Sequence, residues 1–225
     1  MIMSGNKTKL KICGITSPED AVAVLEAGAD FVGIVHYPKS PRHCTTEKIS
    51  EILDAAEPLP DKETVLVVAD AGVDEVEKIL DAANNRFGNV QIHRDLTDDE
   101  FAEFHYRLNG RTNLIRVLRN IDKMQDIVDG IIENGEVSTP QLYLLEMSHG
   151  KLPGGNGTKW DWTLAKKFCR KYPAFIAGGI ETEDICGIIK EVMPFGIDLS
   201  SGVERTPGIK SIEKVREVVS KISLF

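Results

Sequence analysis

Four side chains able to do acid–base or ionic chemistry stand at or just beyond the ends of short apolar runs: Cys13, Arg42, His93 and Glu146. Cys13 closes the run Leu10–Cys13. As a thiolate it can act as base or nucleophile, and as a thiol it is a small, inert core residue. Arg42 lies in His36-Tyr37-Pro38-Lys39-Ser40-Pro41-Arg42-His43, a segment stiffened by two prolines. Its guanidinium can clamp a carboxylate through two parallel hydrogen bonds, or the segment is a solvated basic loop. His93 can carry a proton or hold a structural hydrogen bond. Glu146 follows Leu144-Leu145, where desolvation would raise its pKa towards general-acid work. The plainer alternative is an exposed glutamate paired with a lysine.

Three glycine-bearing segments accompany them. Gly154, Gly155 and Gly157 fall within Pro153–Lys159, Gly178 and Gly179 follow Ala177, and Ser201 and Gly202 follow Asp198-Leu199. Glycine lets backbone N–H groups approach an anion closely. The first segment lacks the spacing of a Walker A loop. The other two are either tight turns or the phosphate grip that barrels build after their seventh and eighth strands.

These positions require a scaffold that gathers strand ends. Runs at Leu10–Cys13, Phe31–Val35, Thr64–Ala69, Val90–Ile92, Leu114–Val117, Leu142–Leu145, Ala174–Ala177 and Ile197–Leu199 read as strands. Several are continuously apolar, as in parallel sheets covered on both faces. Amphipathic stretches separate them: Pro18–Ala27, Thr46–Ala56, Val73–Ala83, Asp98–Leu108, Asp122–Glu133, Thr163–Lys171, Glu183–Val192 and Ser211–Ser223. Ser17, Thr97 and Thr182 are placed to cap helices, and Gly28 to end one. Eight strand–helix pairs in 225 residues predict an α/β protein, a single (β/α)8 TIM barrel spanning residues 1–225. An open doubly wound sheet has the same strand pattern. The irregular segment His149–Asp161 is long enough to suggest function.

Bulk properties narrow the partners. A formal net charge of -8 argues against nucleic acid but permits a small anionic ligand in a local pocket. The four cysteines, Cys13, Cys44, Cys169 and Cys186, contain no Cys-x-x-Cys pair, so no zinc or redox site is signalled. Residues Met1–Leu10 lack the apolar stretch of a secretory signal, and no apolar run approaches the roughly 20 residues needed to cross a bilayer. The expectation is a cytoplasmic protein that binds neither membrane nor nucleic acid. Its oligomeric state is open.

The motifs together resemble the phosphoribosylanthranilate isomerase family. The similarity rests on Lys11-Ile12-Cys13-Gly14-Ile15-Thr16, Tyr37-Pro38-Lys39-Ser40-Pro41-Arg42, Val90-Gln91-Ile92-His93, Gly154-Gly155-Asn156-Gly157 with Trp160-Asp161-Trp162, Ala177-Gly178-Gly179-Ile180, and Asp198 to Glu204 followed by Pro207-Gly208-Ile209-Lys210. All keep the family's order. The resemblance implies an Amadori rearrangement of a phosphosugar, N-(5'-phosphoribosyl)anthranilate, without metal or organic cofactor. It implies Cys13 as the base, Arg42 on the anthranilate carboxylate, and His93 and Asp198 lining the substrate pocket. Backbone groups at Gly154, Gly155, Gly157, Gly178, Gly179, Ser201 and Gly202 would bind phosphate. One departure is chemical: Glu146 stands where the family has an aspartate as general acid. Val67-Val68-Ala69-Asp70 also replaces the usual Phe-Val-Asn, and Arg94-Asp95 replaces a glycine after His93. Two alternatives follow from these departures, a paralogue isomerising another phosphorylated aminosugar and a non-catalytic phosphate-binding barrel.

Overall fold

In strands covered on both faces, burial rather than alternation sets composition, and successive side chains still point to opposite sides. The computed structural model describes residues 7–57, 59–128, 142–146 and 159–225. It contains parallel strands β1 (Lys9–Cys13), β2 (Phe31–Val35), β3 (Glu63–Val68), β4 (Asn89–Ile92), β5 (Asn113–Leu118), β6 (Leu142–Leu145), β7 (Ala174–Ile176) and β8 (Gly196–Leu199). Each strand pairs with the next in order. β8 closes onto β1 with Lys11 opposite Asp198, which excludes the open sheet.

The helices are α1 (Pro18–Glu26), α2 (Thr46–Ala56), α3 (Val73–Ala82), α4 (Asp98–Leu108), α5 (Ile121–Val128), α6 (Lys166–Lys171), α7 (Ile185–Val192) and α8 (Ile212–Ile222). Ser17 caps α1 by accepting from the Asp20 N–H, and Thr97 forms a reciprocal capping box with Glu100 at α4. Gly28 follows α1 with φ +117°, a conformation that a Cβ disfavours.

Two local expectations need correction. Thr182 is not a cap: Glu181 takes that place through a reciprocal box with Asp184, and Thr182 opens a 3-10 turn, Thr182–Asp184. The stretch expected as one helix, Thr163–Lys171, begins as a 3-10 turn, Trp162–Ala165, because the Asp161 carboxylate draws the Thr163 N–H into a tighter entry. α5 is described only to Val128, and residues 129–133 of the expected helix lie outside the described residues. The structure also adds a small antiparallel pair, β9 (Glu204–Thr206) and β10 (Ile209–Lys210), too short to show a sequence period.

Two cores result. Outward residues such as Leu10, Ile12, Ile34, Leu66 and Ile197 pack under the helices. Inward residues Phe31, Val65, Val67, Ile115, Val117, Leu144 and Phe175 fill the barrel. The Phe175 ring meets Phe31 and Phe195 edge to face, each at 5.3 Å. No helix among the described residues is long and apolar enough to cross a membrane.

Candidate active site

Alternation along four strands decides which polar groups reach the interior. β1 turns Lys11 and then Cys13 inward, β4 turns Gln91 inward with His93 just beyond its end, Glu146 directly follows β6, and β8 carries Asp198. Cys13, His93, Glu146 and Asp198 line one cavity of about 350 Å³ at the carboxyl ends of the strands, a volume suited to a small ligand. Arg42, Gly178, Gly179, Ser201 and Gly202 line the same cavity. The structure thus brings together every predicted site residue except Gly154, Gly155 and Gly157, which lie outside the described residues.

Cys13 faces Gly33 of β2, its register partner. A Cβ on Gly33 would come within 2.9 Å of the sulfur, so the glycine makes room for the thiol. Burial pushes the Cys13 thiol up, opposed by the ammonium groups of Lys11 and Lys210, while Asp198 adds to the rise. Lys11 is fully buried and its Nζ donates to Asp198 Oδ1 at 2.9 Å. Burial lowers the Lys11 pKa, but Asp198 and Cys13 together hold the ammonium above its ordinary value. Burial raises Asp198, assisted by the nearby Glu146 charge and opposed by Lys11.

Across the cavity, Glu146 Oε2 lies 2.9 Å from His93 Nε2. Neither atom makes a well-aligned hydrogen bond, so this is a close polar contact. On the ring's other side Gln91 Nε2 approaches His93 Nδ1 at 2.9 Å. The expected rise of the Glu146 pKa is reversed. Burial does push it up, but His93, Arg119 and Lys11 outweigh that and hold it below the ordinary carboxylate range. Its partner is the histidine, not a lysine.

Arg42 is neither a free clamp nor a solvated side chain. Its Nε and Nη2 donate to the two oxygens of Glu204 at 2.8 and 2.6 Å. Glu204 also accepts from Lys210 Nζ at 2.7 Å and from the Gly208 N–H at 3.2 Å. Burial raises the Glu204 pKa, yet Arg42 and Lys210 bring it below the usual range. The short hairpin therefore anchors Arg42 at the rim.

The opposite rim is built from backbone. Gly178 and Gly179 adopt φ +92° and +64°, conformations that favour glycine. A Cβ on Gly202 would lie 2.3 Å from the Ile180 carbonyl oxygen, so the segments after β7 and β8 touch through backbone alone. Buried Trp160 donates from Nε1 to the Ala177 carbonyl at 2.9 Å, and Lys159 bonds Asp184 at 2.9 Å. These contacts fix the returning end of the segment that contains the first glycine run.

A sequence model of N-(5'-phosphoribosyl)anthranilate isomerase matches residues 10–221. The chain belongs to the N-(5'-phosphoribosyl)anthranilate isomerase family. It is 36% identical over 214 residues to the isomerase of Aquifex aeolicus strain VF5, covering 95% of this chain and 97% of that protein. The crystal structure of phosphoribosyl anthranilate isomerase from Thermotoga maritima superposes with a TM-score of 0.79 at 26% identity, covering 97% of this chain and 100% of that one. A second isomerase structure, in complex with reduced 1-(o-carboxyphenylamino)-1-deoxyribulose 5-phosphate, gives 0.76 at 25% identity with the same coverage. The chain is accordingly an isomerase working by intramolecular rearrangement, with the family's activity in tryptophan biosynthesis. Sequence reasoning quoted Lys11, Gln91, Glu204 and Lys210 within motifs but gave them no task. The available signal was Lys11, a charge inside an apolar run at the same alternation as Cys13.

Proposed function

We propose that Cys13 and Glu146 perform the two proton transfers of the rearrangement, on a phosphosugar held at its phosphate by the Gly178–Gly179 and Ser201–Gly202 backbone. The chain, residues 1–225, acts as one barrel domain in this reading. Glu146 protonates the furanose ring oxygen of N-(5'-phosphoribosyl)anthranilate, and the ring opens to the C1 iminium. The Cys13 thiolate removes the C2 proton, giving the enolamine, which ketonises to the 1-deoxyribulose 5-phosphate product. The change is redox-neutral within the substrate. Arg42, held in place by Glu204, offers its remaining N–H groups to the anthranilate carboxylate, and His93 and Asp198 bound the sugar pocket.

The observation that carries this reading is the placement of a thiol on β1 and a carboxyl after β6 in one cavity, with glycine backbone at its rim. The longer acid fits because Glu146 is steadied by His93 at 2.9 Å. An acid must hold a proton, and the lowered Glu146 pKa describes the unliganded cavity. A bound carboxylate and phosphate add negative charge, which favours the protonated form. Loss of fluorescence of freshly made phosphoribosylanthranilate tests the proposal. The wild-type protein should consume it. Cys13→Ala should not, although inorganic phosphate should still protect it against thermal unfolding. Full turnover by Cys13→Ala would remove the mechanism.

A further inference from the structure

Lys11 has no part in the scheme above, yet its placement is costly. Its side chain is entirely inaccessible to solvent, and a buried ammonium is stable only beside compensating negative charge. One partner is Asp198, at 2.9 Å. Lys11 and Cys13 lie two residues apart on β1, so both point into the barrel, and the Lys11 charge acts on the Cys13 thiol as well as on Asp198.

The charges facing Cys13 come from four elements. Lys11 faces it from β1, Asp198 from β8 and Lys210 from β10. Arg42 faces it from the segment after β2. Lys210 and Arg42 share the Glu204 carboxylate, and Lys210 also donates to the Cys13 carbonyl oxygen at 2.6 Å. Around the thiol there are thus three cations and two carboxylates, Asp198 and Glu204, and the Glu146 carboxylate also faces Lys11. A thiolate at position 13 forms among these cations. Lys210 and Arg42 are already bonded to Glu204, whereas Lys11 shares the inward face of β1 with the sulfur.

We infer that Lys11 is a positioning residue for Cys13: its buried ammonium, bonded to Asp198 and on the same inward face of β1 as the sulfur, is the charge against which the Cys13 thiolate forms. Asp198 then has the opposite influence, competing with the sulfur for that ammonium. Proton removal from C2 converts the thiolate to a thiol, and Lys11 turns back to Asp198. No proton leaves Lys11 in this exchange. The inference deepens the proposed mechanism and rests on Cys13 being its base, but it can be tested without turnover.

The experiment is the rate of iodoacetamide alkylation of Cys13 against pH, followed by peptide mass spectrometry so that the other cysteines do not interfere. Lys11→Met should move the alkylation midpoint upward by about 1–3 pH units, the range produced by a close opposite charge. Lys11→Arg should restore much of the shift, and Asp198→Asn should move the midpoint downward. Because Asp198→Asn leaves the cation in place, it keeps the inference falsifiable if Lys11→Met does not fold. Midpoints that stay put, or that move the same way in Lys11→Met and Asp198→Asn, would overturn it. If the shifts appear as described while Cys13→Ala retains full turnover, the electrostatic role stands and the assignment of the base fails.

Discussion

The barrel interior has two unlike halves. β2, β3, β5 and β7 turn Phe31, Val65, Val67, Ile115, Val117 and Phe175 inward, joined by Leu144 of β6. β1, β4, β6 and β8 turn in Lys11, Cys13, Gln91, His93, Glu146 and Asp198, several of them buried. Strand geometry is the same in both, so the difference lies in what burial costs. Apolar side chains gain about 25 cal/mol per Å² removed from water. Buried ions lose hydration and are tolerated only in compensated sets, here Lys11 with Asp198, and Glu204 with Arg42 and Lys210. One half stabilises the barrel, and the other spends part of that stability on holding charges where a substrate can meet them.

Exchanging damage between the halves should break this contrast if it is wrong. Truncating the charged half with Glu146→Ala should lower kcat/KM by about 10²–10⁴-fold, the usual contribution of a positioned acid, while the melting temperature hardly changes. Truncating the apolar half with Phe175→Ala should cost about 3–5 kcal/mol of stability in denaturant unfolding, as a large core deletion does. The molecules that remain folded should keep their turnover. If Glu146→Ala melted the protein and Phe175→Ala did not, the division would be false.

A smaller effect sharpens the electrostatic part. Glu204 has its pKa depressed below the ordinary 4.5 when folded. Such a group contributes stability above its unfolded pKa, and loses it as pH falls through the folded value. Acidification below about 4.5 should therefore destabilise the wild type more steeply than Glu204→Gln, as read from melting temperature against pH. Equal slopes would show that the anchor of Arg42 is electrostatically idle. The smallest expected change is Glu146→Asp. It restores the shorter acid, and kcat/KM should stay within about tenfold of wild type. A loss near about 100-fold, typical of a misplacement of 1 Å, would mean that the reach of the carboxyl towards His93 is decisive.

The charged half was the harder one to read from sequence. Strands were legible because runs such as Phe31–Val35 are apolar throughout, and no strand end was misplaced by more than one residue. Closure was not legible, since an open sheet has the same periodicity. It depends on β8 meeting β1. Cys13, His93 and Glu146 were found by their positions at strand ends, a rule independent of side-chain contacts. The partners were missed because they are distant in sequence: Arg42 and Glu204 are 162 positions apart, and Lys11 and Asp198 are 187 apart. For the same reason the direction of the Glu146 shift was misjudged, because His93 arrives from another strand. The 3-10 entries at Trp162–Ala165 and Thr182–Asp184 follow from carboxylate caps that act over three residues and leave no helical period.

The central claim, that a thiol and a carboxyl on opposite walls work on one substrate, is tested most directly by a double-variant cycle in kcat/KM. Cys13→Ala, Glu146→Ala and the double variant would each be assayed by loss of phosphoribosylanthranilate fluorescence. Groups acting as a unit give strongly non-additive losses, so the double variant should be hardly slower than the slower single one. Full activity in either single variant, or losses that simply multiply, would contradict the account.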